Sequence, residues 1–177
     1  MPKPIFGMGL ACTLLLAVNA LAQDVDPRYT WDLTELYATP ADWAAAREAV
    51  LADLERIEAL RGTLGDSADA LYDALSLISA TQKERSRVST YASLNADEDL
   101  RVTETQERRQ LAQIMSARFA EATAWVQPEL LAVGEEVIDA YVNEDERLAR
   151  FAHGLDDALR RASRAGGGDR VPPPRRR

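Results

Sequence analysis

The chain has 177 residues, 46% of them apolar and 28% charged, which suits one folded domain with a modest core and argues against intrinsic disorder. Alanine and leucine dominate and β-branched residues are sparse, so helices are favoured over strands and an all-α fold is expected, built as an antiparallel helical bundle or stacked helical hairpins. The formal net charge of −8 divides unevenly: Gln23 to Leu159 holds 13 of the 21 basic residues and 28 of the 29 acids, a formal −15, which argues against nucleic acid or anionic lipid as a partner.

Residues 1–22 have the pattern of a signal peptide. Lys3 precedes an apolar run from Ile5 to Val18, and Ala20-Leu21-Ala22 gives a small-x-small cleavage pattern before the polar Gln23-Asp24. The run is short for a spanning helix and ends abruptly in polar chain. Export to a periplasmic or extracellular location with cleavage after Ala22, and no stable membrane span thereafter, is the expectation, with an uncleaved anchor as the competing reading. Cys12 is the single cysteine; a lipoprotein site there is disfavoured because the apolar run continues past it. The mature chain would hold no disulfide and no thiolate metal ligand.

Residues 23–38 form an opening segment in which Tyr29, Trp31 and Tyr37 lie close together, with Trp43 following. Trp31, Leu33, Leu36 and Tyr37 are expected to pack down as a lid over one end of the core. Thr39-Pro40-Ala41-Asp42 then reads as a helix start, with a capping threonine, a proline at the first helical position and an acid at the positive end. Trp43, Val50, Leu54 and Ile57 form its apolar stripe, and Arg61-Gly62 closes it. A second helical region opens at Ser67 with Leu71, Leu75 and Ile78. It crosses a polar stretch, Thr81 to Arg85, and resumes with Val88, Tyr91 and Leu94, leaving open one bent helix or two joined near Ala80.

After the acidic break Asn95 to Asp99, Thr103 starts a long helix through Leu111, Ile114, Phe119 and Ala122 to Trp125. Pro128 stops it and can begin a short turn of helix through Leu131. Past Gly134, Val137, Ile138 and Tyr141 share a face. A last amphipathic stretch runs from Asp145 to Arg161 with Leu148, Phe151, Leu155 and Leu159. The helical domain so defined covers 39–162, and 163–177 is expected to be a disordered Gly/Pro/Arg tail.

Catalytic chemistry is hard to find. His153 is the one histidine, and a partly buried structural role in the last helix is expected for it. Zinc hydrolases draw about three ligands from the protein, usually including two histidines, so a zinc site is not expected in this chain. Asp97-Glu98-Asp99 and Glu144-Asp145-Glu146 lack the alternating ligand pattern and glycine of a calcium loop, and read as helix-end acids. Nucleophile elbows and phosphate loops are absent from the sequence. No catalytic, metal or cofactor-binding residue is assigned.

Three stretches together resemble the N-terminal helical region of oligoendopeptidase F-type zinc metallopeptidases, relatives of thimet oligopeptidase. TWDLTELYATPADW from Thr30 is similar to their W-D-L-x-x-L-Y opening and Trp-containing helix. STYASLNADED from Ser89 is similar to Y-A-x-L-x-x-D-x-D, and QPELLAVGEEVIDAYV from Gln127 to their P-E-L-L segment. The resemblance spans about Tyr29 to Arg161. It implies helices that pack against, and help enclose, a cleft in a larger catalytic domain that acts on short peptides. There H-E-x-x-H and a further glutamate hold zinc, and the motif glutamate activates water. No position here matches that motif, so no ligand carries over.

The resemblance therefore implies a truncated region of an exported metalloendopeptidase, inactive alone, whose partner is the catalytic domain. The terminal RRASRAGGGDRVPPPRRR departs from the family and reads either as out-of-frame translation of a GC-rich gene or as a basic binding tail. The alternative function is a short helical cell-envelope binding protein that uses that tail electrostatically.

Overall fold

A computed structural model describes residues 30–166. Among these residues there is no strand. The fold is an all-α bundle of six helices: α1 (Pro40–Glu58), α2 (Ala68–Glu98), α3 (Thr103–Thr123), α4 (Val126–Val133), α5 (Glu135–Glu144) and α6 (Ala152–Gly166), with a 3₁₀ helix at Glu146–Phe151. No helix among the described residues is long and apolar enough to cross a membrane. Residues 1–29 and 167–177 lie outside the described residues, and with them the expected signal peptide, the first part of the opening segment and most of the expected tail. The final helix reaches Gly166, which carries helical structure past the boundary at 162 that periodicity set.

α1 begins where its capping chemistry places it. The Thr39 hydroxyl accepts from the Asp42 N–H at 3.1 Å and the Asp42 carboxylate accepts from the Thr39 N–H at 3.0 Å, a closed capping box with Pro40 just inside. Gly62 turns the chain out of α1 at φ +91°, a left-handed conformation that a β-carbon would strain. α2 is one continuous helix of 31 residues, capped by Ser67.

The polar stretch in its middle is spent on neighbouring helices. Thr81 is buried, and its hydroxyl reaches the Asp53 carboxylate of α1 at 3.3 Å as well as the Leu77 carbonyl one turn back at 2.8 Å. Arg85 reaches Ser116 of α3 at 3.2 Å and lies over the Phe119 ring. Side chains that serve another helix break the apolar period without breaking the helix.

α1, α2 and α3 pack on one another, and the pairing of Trp43 with Val88 and Asp53 with Thr81, and of Arg85 with Ser116 and Asn95 with Arg108, sets α2 antiparallel to both. Small residues at the crossings, Ala92 and Ala96 of α2 and Ala112 of α3, are almost wholly buried and let the backbones approach. Two apolar clusters fill the bundle. One gathers Trp43, Val50, Val88, Tyr91 and Met115 beneath the opening segment. The other joins Ile57, Leu71, Phe119 and Trp125 to Leu130, Ile138, Leu148, Leu155 and Leu159, so α4 to α6 close the opposite end.

Burial settles which faces α3 and α5 turn inward, and for Val137 it corrects the expected face. Ile114 is 47% exposed, because α3 is gripped by both α1 and α2 and its buried face runs Thr105, Ala112, Met115, Phe119, Ala122. Val137 is also exposed, while Ile138 next to it is 1% exposed and anchors α5.

The two buried tryptophans differ in their polar atoms. Trp43 Nε1 donates to the Val88 carbonyl at 3.0 Å, whereas Trp125 Nε1 is buried with no acceptor among the described residues. Replacing each by phenylalanine removes similar apolar surface but only one made hydrogen bond. Urea unfolding should show Trp43→Phe costing about 1–2 kcal/mol more than Trp125→Phe; equal costs would mean that the Val88 bond contributes nothing.

Candidate functional site

Around Tyr91 the opening segment is fixed to the bundle. The Tyr37 ring meets Tyr91 edge-on at 5.5 Å and 80°, and Trp43 stacks on the same ring at 6.5 Å and 24°. The Tyr37 hydroxyl donates to the Glu84 carboxylate at 2.5 Å, and Arg87 donates to the Leu36 carbonyl at 3.0 Å while its guanidinium lies over the Tyr37 ring. Burial, then the bonded Glu84 carboxylate, pushes the Tyr37 phenol well above the ordinary tyrosine range.

Trp31 behaves differently from its neighbours and corrects the lid expectation. Its N–H donates to Glu98 at 2.9 Å, yet its side chain is 59% exposed, because the segment is pinned through backbone there and turns its ring outward.

The acidic run at the end of α2 has separate structural duties for each carboxylate. Asp97 pairs with Arg109 of α3. Glu98 holds Trp31, and Asp99 accepts from both the Arg101 N–H and its guanidinium at 2.9 Å. The Arg101 bonds hold the Asp99 carboxyl down to about 2. Asp145 is likewise taken up by Arg147, whose guanidinium also reaches Asp69 and covers the Tyr72 ring. These carboxylates are consumed as turn caps and cations' partners, an arrangement that leaves no convergent oxygen cage.

In the P-E-L-L stretch, Glu129 reaches across to the α1–α2 loop and accepts from the Gly62 and Leu64 N–H groups, each at 2.8 Å. Leu130 beside it is buried in the larger cluster. Tyr141 of α5 completes the tie by donating to the Gly65 carbonyl at 2.7 Å. None of this was readable from the sequence, where a glutamate after a proline carries no sign of a distant loop.

Open clefts are few in chemistry. One of about 220 Å³ between α1 and α3 has Leu51, Leu54 and Ala122 at its base with Glu55, Glu58, Glu121 and Arg118 around it. It contains neither histidine nor a nucleophile held by a base. His153 is exposed on α6 rather than partly buried, since Leu155 and Leu159 take the inward face.

Among the described residues no group of three or more His, Cys, Asp or Glu is placed to hold a metal ion. The zinc that the resemblance implies for full-length relatives is thus not matched by the donors among the described residues.

The bundle defines an α-helical domain whose motif residues serve packing. The resemblance to oligoendopeptidase F is carried by whole-chain comparison as well. The chain is 28% identical over 131 residues to the plasmid oligoendopeptidase F of Lactococcus lactis subsp. cremoris, covering 73% of this chain and 22% of that protein. It is 28% identical over 134 residues to oligopeptidase PepF of Bacillus subtilis strain 168, covering 76% and 20%. Its fold matches the crystal structure of oligoendopeptidase-F from Enterococcus faecium with a TM-score of 0.64 at 21% identity, over 68% of this chain and 24% of that one. No protein-family model matches the chain. The chain spans about a fifth of the length of the curated relatives it matches.

Three outcomes check this geometry. Glu129→Ala should cost about 2 kcal/mol in urea unfolding, since two backbone donors lose a charged acceptor; a cost under about half a kcal/mol would mean that water replaces it fully. Trp31→Ala should change stability by less than about half a kcal/mol, in contrast to a core tryptophan.

On the alkaline side, the raised Tyr37 pKa means that the folded state holds its phenolic proton more tightly than the unfolded chain does. The contribution is whole below the ordinary tyrosine pKa of about 10 and is lost as pH rises beyond it. Absorbance at 295 nm should show one tyrosine ionising only as the fold is lost, and Tyr37→Phe should abolish that late phase.

Proposed function

We propose that this chain is the helical region of an exported, zinc-dependent oligoendopeptidase of the F type, helping to enclose the cleft in which short peptides are cut. The zinc site and the water-activating glutamate lie in a catalytic part outside these 177 residues, and the chain is inactive by itself. The observation that carries the reading is the match of about three quarters of the chain in sequence to about a fifth of each peptidase, with about two thirds of it matching in fold. The donor chemistry is consistent with it: among the described residues the one histidine is exposed and no group of three or more His, Cys, Asp or Glu is placed to hold a metal ion.

The test is metal content and hydrolysis together. Protein purified with added zinc and then desalted should retain far less than one ion per chain and leave a fluorogenic oligopeptide uncut. Stoichiometric zinc with zinc-dependent cleavage would overturn the inactive half of the reading. A stable, monodisperse protein that captures a specific envelope partner through its basic tail would favour the short binding protein instead. For export, material recovered outside the cytoplasm should begin at Gln23, and a chain retaining Met1 in the membrane fraction would exclude cleavage.

A further inference from the structure

Between the middle of α2 and the 3₁₀ helix lies an open cleft of about 390 Å³, lined by Ser76, Ser79, Ala80, Lys83, Arg150 and Phe151. No carboxylate lines it, which is unusual in so acidic a chain. The α1–α3 cleft carries Glu55, Glu58 and Glu121, and the cleft at the start of the 3₁₀ helix is walled by Asp69, Glu144, Asp145 and Glu146.

The two cations of this cleft are without a countercharge. Lys83 is exposed and forms no hydrogen bond or ion pair among the described residues. Its neighbour Glu84 is taken up elsewhere, accepting from Tyr37 and pairing with Arg87. Arg150 donates to the Ser76 hydroxyl at 3.0 Å and lies over the Phe151 ring at 4.5 Å and the Tyr72 ring at 5.5 Å. Those contacts hold the guanidinium in place and leave its charge uncancelled, since a ring and a hydroxyl carry no net charge. The Ser76 oxygen accepts from Arg150, so its own O–H remains to donate, and the Ser79 hydroxyl has no partner among the described residues. Ser76, Ser79 and Lys83 follow one another at single-turn spacing on α2, which puts their donors on one face opposite Arg150.

Charge and donor number choose the ligand. Two cations match a dianion better than the single charge of a carboxylate, and an ammonium, a guanidinium and two hydroxyls suit the three terminal oxygens of a phosphate monoester. Ala80 and Phe151 add an apolar wall, and the volume, near the lower bound for small-molecule pockets, leaves room for a short carbon group beside the phosphate. The acidic body repels a polynucleotide or an anionic membrane, whereas a small ion within the cleft responds mainly to the two cations beside it. We propose that this cleft is a binding site for a small soluble phosphate monoester, held by Lys83, Arg150, Ser76 and Ser79. The assignment goes beyond the peptidase reading and does not depend on it, because every group it uses lies in this chain.

The test is an amide chemical-shift titration of the isotope-labelled 177-residue chain with inorganic phosphate and with phenyl phosphate at constant ionic strength. Signals of Ser76, Ser79, Lys83, Arg150 and Phe151 should shift together and saturate with a Kd of about 1 mM or lower. Lys83→Gln removes a charge without breaking a bond among the described residues, and it should weaken both ligands at least about fivefold while the rest of the spectrum is unchanged. Arg150→Gln should weaken them similarly, and Arg118→Gln in the acidic α1–α3 cleft should leave the affinity unaltered. Shifts that never saturate, acetate bound as well as phosphate, or undiminished binding by Lys83→Gln would each overturn the site. Phenyl phosphate bound more weakly than inorganic phosphate would overturn the monoester assignment. Sedimentation with vesicles containing phosphatidic acid separates a lipid headgroup from a soluble ligand. Any association should be the same for Lys83→Gln as for the original chain, and co-sedimentation lost with Lys83 would overturn the soluble class.

Discussion

The burial of Tyr91 between two aromatic rings is the contact on which this half of the bundle depends. Trp43 comes from the first turn of α1 and Tyr37 from the irregular segment before it, so one side chain near the end of α2 fixes both. Because the Trp43 indole also donates to the Val88 carbonyl, α1 is held in register with α2 and cannot slide along it. α3 then fits into the angle that remains, its Ala112 and Met115 meeting the same cluster. Edge-on and offset ring pairs add about 0.5–1.5 kcal/mol beyond their area, and they fix orientation as well.

At the other end a single carboxylate takes a comparable part. Glu129 accepts two backbone N–H groups from the loop that Gly62 turns, which ties α4 to the connection between α1 and α2. The small helices α4 to α6 pack over Leu130, Ile138 and Leu148 in consequence. A chain with a formal −15 between Gln23 and Leu159 would repel itself if its acids were idle. Many are used locally instead, accepting from backbone N–H groups and from arginines one turn or one helix away. Exposed pairs of this kind add little stability singly, and their effect is to give the turns one conformation.

The three stretches that resemble oligoendopeptidase F thus have a common physical meaning. Tyr37 and Trp43, Tyr91, and Glu129 and Leu130 are joints of the bundle, and Asp99 fixes the turn between α2 and α3. The resemblance is legible because joints constrain residue type tightly: few side chains can replace a ring stacked at one angle or a carboxylate holding two backbone donors. Periodicity recovered α1, α3 and the start of α2 from capping and spacing. It left the inward face of α3 open, because α3 has two partners and the face between them is set by packing, and it misplaced Val137, which is exposed beside the buried Ile138. It also misjudged Trp31 and His153, since a lone aromatic or histidine carries no sign of which way its backbone will turn it.

By itself the sequence determined the helical class, the starts of α1, α2 and α3, the residue types at the joints and the lack of any zinc-binding motif. These follow from local causes: the geometry of a capping box, the spacing of a turn and the donor atoms a chain contains. Only the tertiary structure decided that the polar middle of α2 runs on without a break, that Glu129 belongs to a loop 65 residues earlier, and that Trp31 stands in solvent. Each of these depends on what lies across the bundle from a residue, which neighbours along the chain do not encode.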